Sequence, residues 1–196
     1  TDPGQYQDIS KDKPEVAAKL REAVARWKDE VLPKSAKDDR PFPVGYAEFP
    51  TTILPARDGV PHGNVRRSAG APNCSFFTNW SSAGDKITWD IEVANSGNYQ
   101  AVIYYTCAKE NIGSTVELNF NGNRVQGKVT KPHDPPLVGE EFDRVSRGGE
   151  SYVKDFQPLD LGIFRLEKGR GLLTLSALDV PGRRVMDVRA VLLTLT

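Results

Sequence analysis

Apolar and polar side chains alternate without interruption from Ile87 to Val93. Ile87, Trp89, Ile91 and Val93 are apolar, and Thr88, Asp90 and Glu92 between them are polar. A period of two places the apolar set on one face of an extended strand and commits that face to a core. Ser96-Gly97-Asn98 turns the chain into Tyr99–Cys107, which is apolar on both faces and reads as a central strand. Val116, Leu118 and Phe120 alternate again, and Asn121-Gly122 beside them is a hairpin signal, because both turn positions need positive φ. Leu159–Leu166, Gly171–Leu178 and Val185–Leu195 read as three more strands, with turns at Gly169–Gly171 and Pro181-Gly182. Short strands, frequent turns and the lack of a second helical pattern predict an antiparallel β-sandwich over residues 45–196. The polar stretch Lys128–Lys154, with three prolines and Gly148-Gly149, is long for a loop and is expected to be functional or mobile.

One helix precedes this region. Val16, Leu20, Val24, Trp27 and Val31 recur at spacings of four, four, three and four, which puts all five on one face. Ser10 and Asp12 offer capping oxygens, Pro14 fits the first turn and Pro33 marks the stop. Glu15 with Lys19 and Glu22 with Arg26 are i, i+4 pairs on the wet side. The stripe must pack on something, either the following domain or one upstream. The run KSAKDDR and two prolines make residues 34–44 a linker by composition.

Charge excludes one class of function. Lys+Arg and Asp+Glu both number 26, nine of each up to Arg40 and seventeen of each beyond it. With neither a sign excess nor a clustered basic stripe, the chain is not expected to bind nucleic acid. No apolar run approaches the roughly 18 to 20 residues that span a bilayer, so no membrane partner is expected either. The opening TDPGQYQDIS is polar and lacks an initiating Met, and reads as the middle of a longer polypeptide. Cys74 and Cys107 fit either one disulfide or two free core thiols.

The segment Thr1-Asp2-Pro3-Gly4-Gln5, through Asp8-Ile9-Ser10 to Pro14-Glu15-Val16, resembles the C-terminal end of the sulfatase family, where a D-P turn leads into a capped helix. It departs from that pattern at Gln5 or Tyr6, where an acidic residue is usual, and at Asp8, where Asn is common. From about Gly45 onward the chain is similar to the jelly-roll, carbohydrate-binding-module-like domains appended to bacterial sulfatases and glycoside hydrolases. Asp85-Lys86-Ile87-Thr88-Trp89, Ser96-Gly97-Asn98-Tyr99, Tyr104–Ala108, Gly169–Leu175 and Met186–Arg189 carry that similarity. The resemblance implies a helical tail of a sulfatase-like catalytic region at 1–33, a linker at 34–44 and a jelly-roll-like sandwich at 45–196. It also implies a secreted or periplasmic bacterial parent, with the catalytic domain and a polysaccharide as partners.

Catalytic chemistry is not legible in the chain. Cys74 lies in Cys74-Ser75-Phe76-Phe77-Thr78, without the Pro and Arg that surround a sulfatase nucleophile. His62 and His133 each stand alone and read as solvated loop residues. Glu140-Glu141 and Asp38-Asp39 are adjacent rather than opposed, so they read as solvated charge and not as an acid/base pair. A sugar site asks for aromatic faces with planar polar groups beside them. Trp80, Tyr152 and Phe156 are the aromatic candidates, and Arg66 with Arg67 could supply forks for a sulfate or carboxylate. Each has a plainer reading: Trp80 in the core, Tyr152 and Phe156 pinning the long loop, the arginines wet. Related modules imply a structural calcium between the first and last strands, and Glu48 and Asp187 are the positions that could match it. Asp187, on an otherwise apolar strand, needs a partner, which an Arg would satisfy as well as a metal. The expectation is therefore a non-catalytic accessory sandwich that assists carbohydrate binding. The alternative is a structural sandwich that docks on the catalytic domain without binding sugar.

Overall fold

The computed structural model describes residues 3–4, 6–32, 39–70, 73–145 and 148–196. Pro33, residues 34–38 of the linker, and Thr1, Asp2 and Gln5 of the opening motif lie outside them. The chain falls into two compact units, residues 1–40 and 41–196.

The first unit is built on helix α1 (Pro14–Val31). Its stripe forms as the spacing requires, yet none of its residues is buried: Trp27 and Val31 are each 55% exposed. The expected caps do not form. Lys13 holds the cap position without a side-chain hydrogen bond, and Asp8 Oδ1 instead accepts from the Ser10 N–H at 2.8 Å. The start of the helix is thus set by a turn one step earlier and by Pro14, whose missing N–H costs nothing there. Glu22 and Arg26 pair at 3.3 Å on the wet face, where such a pair contributes under about 0.5 kcal/mol.

The second unit is a jelly-roll-like sandwich of two sheets. One holds β1 (Phe42–Val44), β3 (Val60–His62), β6 (Lys86–Val93), β8 (Thr115–Phe120), β9 (Asn123–Lys128) and β11 (Gly169–Ala177), in the order β1-β6-β11-β8-β9 with β3 also on β6. The other holds β2 (Thr51–Pro55), β4 (Arg66–Arg67), β5 (Phe77–Thr78), β7 (Gly97–Thr106), β10 (Gln157–Leu166) and β12 (Asp187–Leu195), in the order β10-β7-β12-β5-β4 with β2 also on β12. Pairing is antiparallel throughout, except that β1 runs parallel to β6.

The alternating residues behave as their period requires. Ile87, Trp89, Ile91 and Val93 are buried and meet Leu54, Phe77, Ile103 and Val191 from the facing sheet in one core. Trp89 lies edge-on to Phe77, ring centroids 6.3 Å apart, and its Nε1–H donates to the Pro55 carbonyl at 3.0 Å. β7 is central, between β10 and β12. Asn121 and Gly122 close the β8–β9 hairpin at φ of 51° and 92°.

Three readings are corrected. Thr88, a wet position by alternation, is 5% exposed, and the His62 side chain on the neighbouring strand β3 reaches its hydroxyl through Nε2 at 2.9 Å. Residues 42–44, read as linker, form β1. Gly169–Gly171 opens β11 instead of making a turn. The strands β2 to β5 carried no readable alternation, because each is only two to five residues long.

Candidate functional site

β7 ends at Thr106 and β12 begins at Asp187, and these two residues are paired across the sheet. The connections leaving them gather at this end of the sandwich. Cys107 and His133 exchange backbone hydrogen bonds of 2.7 and 2.8 Å, pinning the long polar stretch to the end of β7. Asn111, in the turn Lys109–Asn111, accepts through Oδ1 from the Arg183 and Arg184 N–H groups at 3.0 and 3.3 Å. Gly182 permits that approach, since a β-carbon there would meet Asn111 Cα at 2.7 Å. The Val185 N–H donates to the Trp80 carbonyl at 2.8 Å, fixing the chain as it enters β12.

Between these segments lies a cavity of about 210 Å³, bordered by Thr106, Asn111, Asp134, Lys154, Arg184 and Asp187. It adjoins an open groove of about 790 Å³ to which Glu110, Pro181 and Arg183 contribute. Lys154 organises the cavity. Its Nζ donates to Asp187 Oδ2 at 2.7 Å, lies 3.7 Å from Asp134 Oδ1 and sits 5.3 Å from the Phe76 ring centroid. Two carboxylates thus share one ammonium, which offsets the cost of holding Asp187 at 15% side-chain exposure. The Cys107 Sγ–H donates to the Val185 carbonyl at 3.4 Å, and burial, with Asp134, Asp187 and Glu110 adding repulsion, pushes the thiol up to about 11. That thiol is no nucleophile at neutral pH. The cavity offers fixed donors and acceptors of both charges, and none of the residues lining it is aromatic.

The residues singled out from the sequence are mostly elsewhere. Trp80 is wholly buried in the core, so neither face of its ring can meet a ligand. Phe156, 9% exposed, packs on Phe76 at 5.7 Å with the Arg189 guanidinium 5.7 Å from its ring centroid. Tyr152 is half-buried on the long stretch, two residues before Lys154. Arg66 turns back onto the Gly63 and Val65 carbonyls, and Arg67 reaches the Gly59 carbonyl beside the Phe77 ring. The two arginines, adjacent on β4, make no common fork. Glu48 is exposed next to Pro50, whose carbonyl bonds the Leu195 N–H at the far end of β12. It therefore lies roughly 25 Å along the strand from Asp187, too far to share one ion. Asp187 does need a partner, and the partner is Lys154.

The histidines are half-buried and hydrogen-bonded instead of free in solvent: His62 bonds Thr88, and His133 Nε2 lies 3.0 Å from the Asp155 carbonyl. Cys74 and Cys107 are both free and buried. Among the described residues no group of three or more His, Cys, Asp or Glu side chains could hold a metal. None of the described helices is long and apolar enough to cross a membrane. Of the sequence candidates only Asp187 borders the cavity, whose other residues come from segments far apart in the chain.

No protein-family model matches the sequence, and no curated protein is similar to it. Solved structures are. A Podospora anserina GH26-CBM35 β-(1,4)-mannanase matches over 74% of this chain and 28% of that one, at 17% identity and a TM-score of 0.51. The mosquito-larvicidal Cry4Aa toxin from Bacillus thuringiensis matches over 74% of this chain and 23% of the toxin, at 12% identity and a TM-score of 0.50. The carbohydrate-binding module CBM6cm-2 from Cellvibrio mixtus lichenase 5A, solved with cellotriose, matches over 74% of this chain and 97% of the module, at 11% identity and a TM-score of 0.49. This chain therefore spans less than a third of the mannanase and of the toxin. What is shared is the jelly-roll sandwich.

Proposed function

We propose that the sandwich is a non-catalytic carbohydrate-binding module serving a secreted or periplasmic sulfatase. The observation that carries the carbohydrate reading is the cavity at the ends of β7 and β12. Its hydroxyl and one carboxylate stand on the ends of β7 and β12, and its amide, ammonium, guanidinium and second carboxylate on the connections hydrogen-bonded to them, an arrangement suited to a polyhydroxylated ligand. The fold shared with the CBM35-bearing mannanase supports it. The sulfatase parent rests on the resemblance of the opening segment, from Pro3-Gly4 to Pro14-Glu15-Val16.

Calorimetric titration of the chain against sulfated and unsulfated polysaccharides, in calcium and in EDTA, tests the proposal. Saturable binding that weakens in Arg184→Ala supports the module, and loss of binding in EDTA adds a calcium to it. Flat traces with every polysaccharide overturn it. A second reading, a sandwich that docks on the catalytic domain without binding sugar, is favoured by the exposed apolar stripe of α1. Hydrolysis of an aryl sulfate by this chain would overturn both.

A further inference from the structure

The opposite end of the sandwich carries a second concavity, of about 400 Å³, bordered by Tyr46, Glu92, Asn95, Lys168 and Gly169. Three connections meet there: the β1–β2 turn, the β6–β7 turn with the end of β6, and the β10–β11 turn. Hydrogen bonds lock them together. Asn95 Nδ2–H donates to the Gly45 carbonyl at 2.8 Å, and the Tyr99 hydroxyl donates to the Asn95 carbonyl at 2.6 Å. The Ala94 N–H donates to the Val44 carbonyl and the Lys168 N–H to Ser96 Oγ, both at 2.8 Å. Gly45, at φ of 76°, is required, because a β-carbon would fall on the Tyr99 hydroxyl.

On this frame stand groups that the fold does not use. Tyr46 is 50% exposed, and Phe49, whose N–H donates to the Tyr46 carbonyl at 3.1 Å, is 78% exposed. Glu92 and Lys168 are exposed on the rim and have no ion-pair partner among the described residues. An aromatic ring held open beside one free carboxylate and one free ammonium matches a pyranose, which has an apolar C–H face and a rim of hydroxyls. The ring takes the face, the carboxylate accepts from hydroxyls and the ammonium donates to them. Their charges cancel, so an anionic sugar gains nothing at this end.

We infer that the Tyr46–Glu92–Lys168 concavity is a second carbohydrate site, for neutral pyranosides, at the end of the sandwich opposite the Lys154 cavity. This inference rests on the carbohydrate reading above, and two sites some 30 Å apart along β7 would engage two stretches of polymer at once.

Amide chemical shifts of the full chain titrated with cellohexaose, mannohexaose and xylohexaose test it. The expected result is saturable shifts at Ala94, Asn95 and Gly169 with at least one sugar, with Kd raised at least about tenfold in Tyr46→Ala. Glu92→Gln provides the same readout if the first variant unfolds. Shifts confined to residues 106–111 and 184–187 would overturn the second site and leave the module reading intact. Shifts at neither end would overturn both. Shifts at Ala94 and Gly169 that persist unchanged in both variants would remove Tyr46 and Glu92 from the site and with them the inference.

Discussion

Lys154 Nζ lies 2.7 Å from Asp187 Oδ2, and the two side chains are only 14% and 15% exposed. The pair ties the long polar stretch between β9 and β10 to the first residue of the last strand. Removing one partner strands the other charge in a nearly dry place. Lys154→Met should therefore lower stability to denaturant by roughly 2 to 4 kcal/mol, and the double variant with Asp187→Asn should recover part of that loss. Full additivity of the two single variants would show that the contact carries no coupling.

Asp85, 3% exposed, accepts from the Asn64, Ser81 and Ser82 N–H groups at 2.8, 3.2 and 2.9 Å. One carboxylate thus satisfies three backbone donors from two loops, and water cannot replace it at that depth. Asp85→Ala should cost about 2 to 4 kcal/mol and Asp85→Asn less, measured by chemical denaturation at neutral pH. Equal losses for the two would mean that the carboxylate contributes shape and not hydrogen bonding.

Cys107 should be nearly inert. Its pKa stands at about 11 against an ordinary 9.0, so at pH 8 its thiolate population is about a hundredfold below that of a free cysteine. Alkylation by iodoacetamide in the native state, followed by mass spectrometry, should be slower by at least that factor. Rapid labelling at pH 8 would contradict the burial and the Val185 hydrogen bond together.

The same thiol sets a direction for alkaline stability. Its neutral form is favoured in the fold, so the unfolded chain loses its proton first. Stability is unaffected by this group below pH 9 and falls as pH rises from 9 towards 11. Tyr99 and Tyr105, raised by burial, act in the same sense above pH 10. Denaturation midpoints between pH 8 and 11 should decline, and Cys107→Ser should flatten the first part of that decline.

The long strands were legible and the sites were not, for one physical reason. In β6, β7, β8 and β12 a periodic pattern is written by the need to bury one face, so Ile87 to Val93 or Val116 to Phe120 announces itself locally. The Lys154 cavity has no local pattern, because Thr106, Asp134, Lys154 and Asp187 become neighbours only when the sandwich closes. A carboxylate such as Asp187 on an otherwise apolar strand signals a need for a partner, but that partner lies 33 positions away in a stretch without period. Trp80 is the contrasting case: it follows Asn79, which adopts φ of 59°, and the backbone turn delivers its ring into the core, the plainer of the two readings its position allows.

β1 and β2 are joined by a single short turn but belong to different sheets. β1 holds its sheet through three parallel pairings with β6, whereas β2 is laid along five residues of β12. Mechanical load entering the sandwich at residue 41 would meet these two attachments in series. β1 would peel first, and the Gly45–Pro50 turn would then draw on β12, which is itself braced by β5 and β7. A tether that yields by three residues before its main fold is strained has a built-in extension stop.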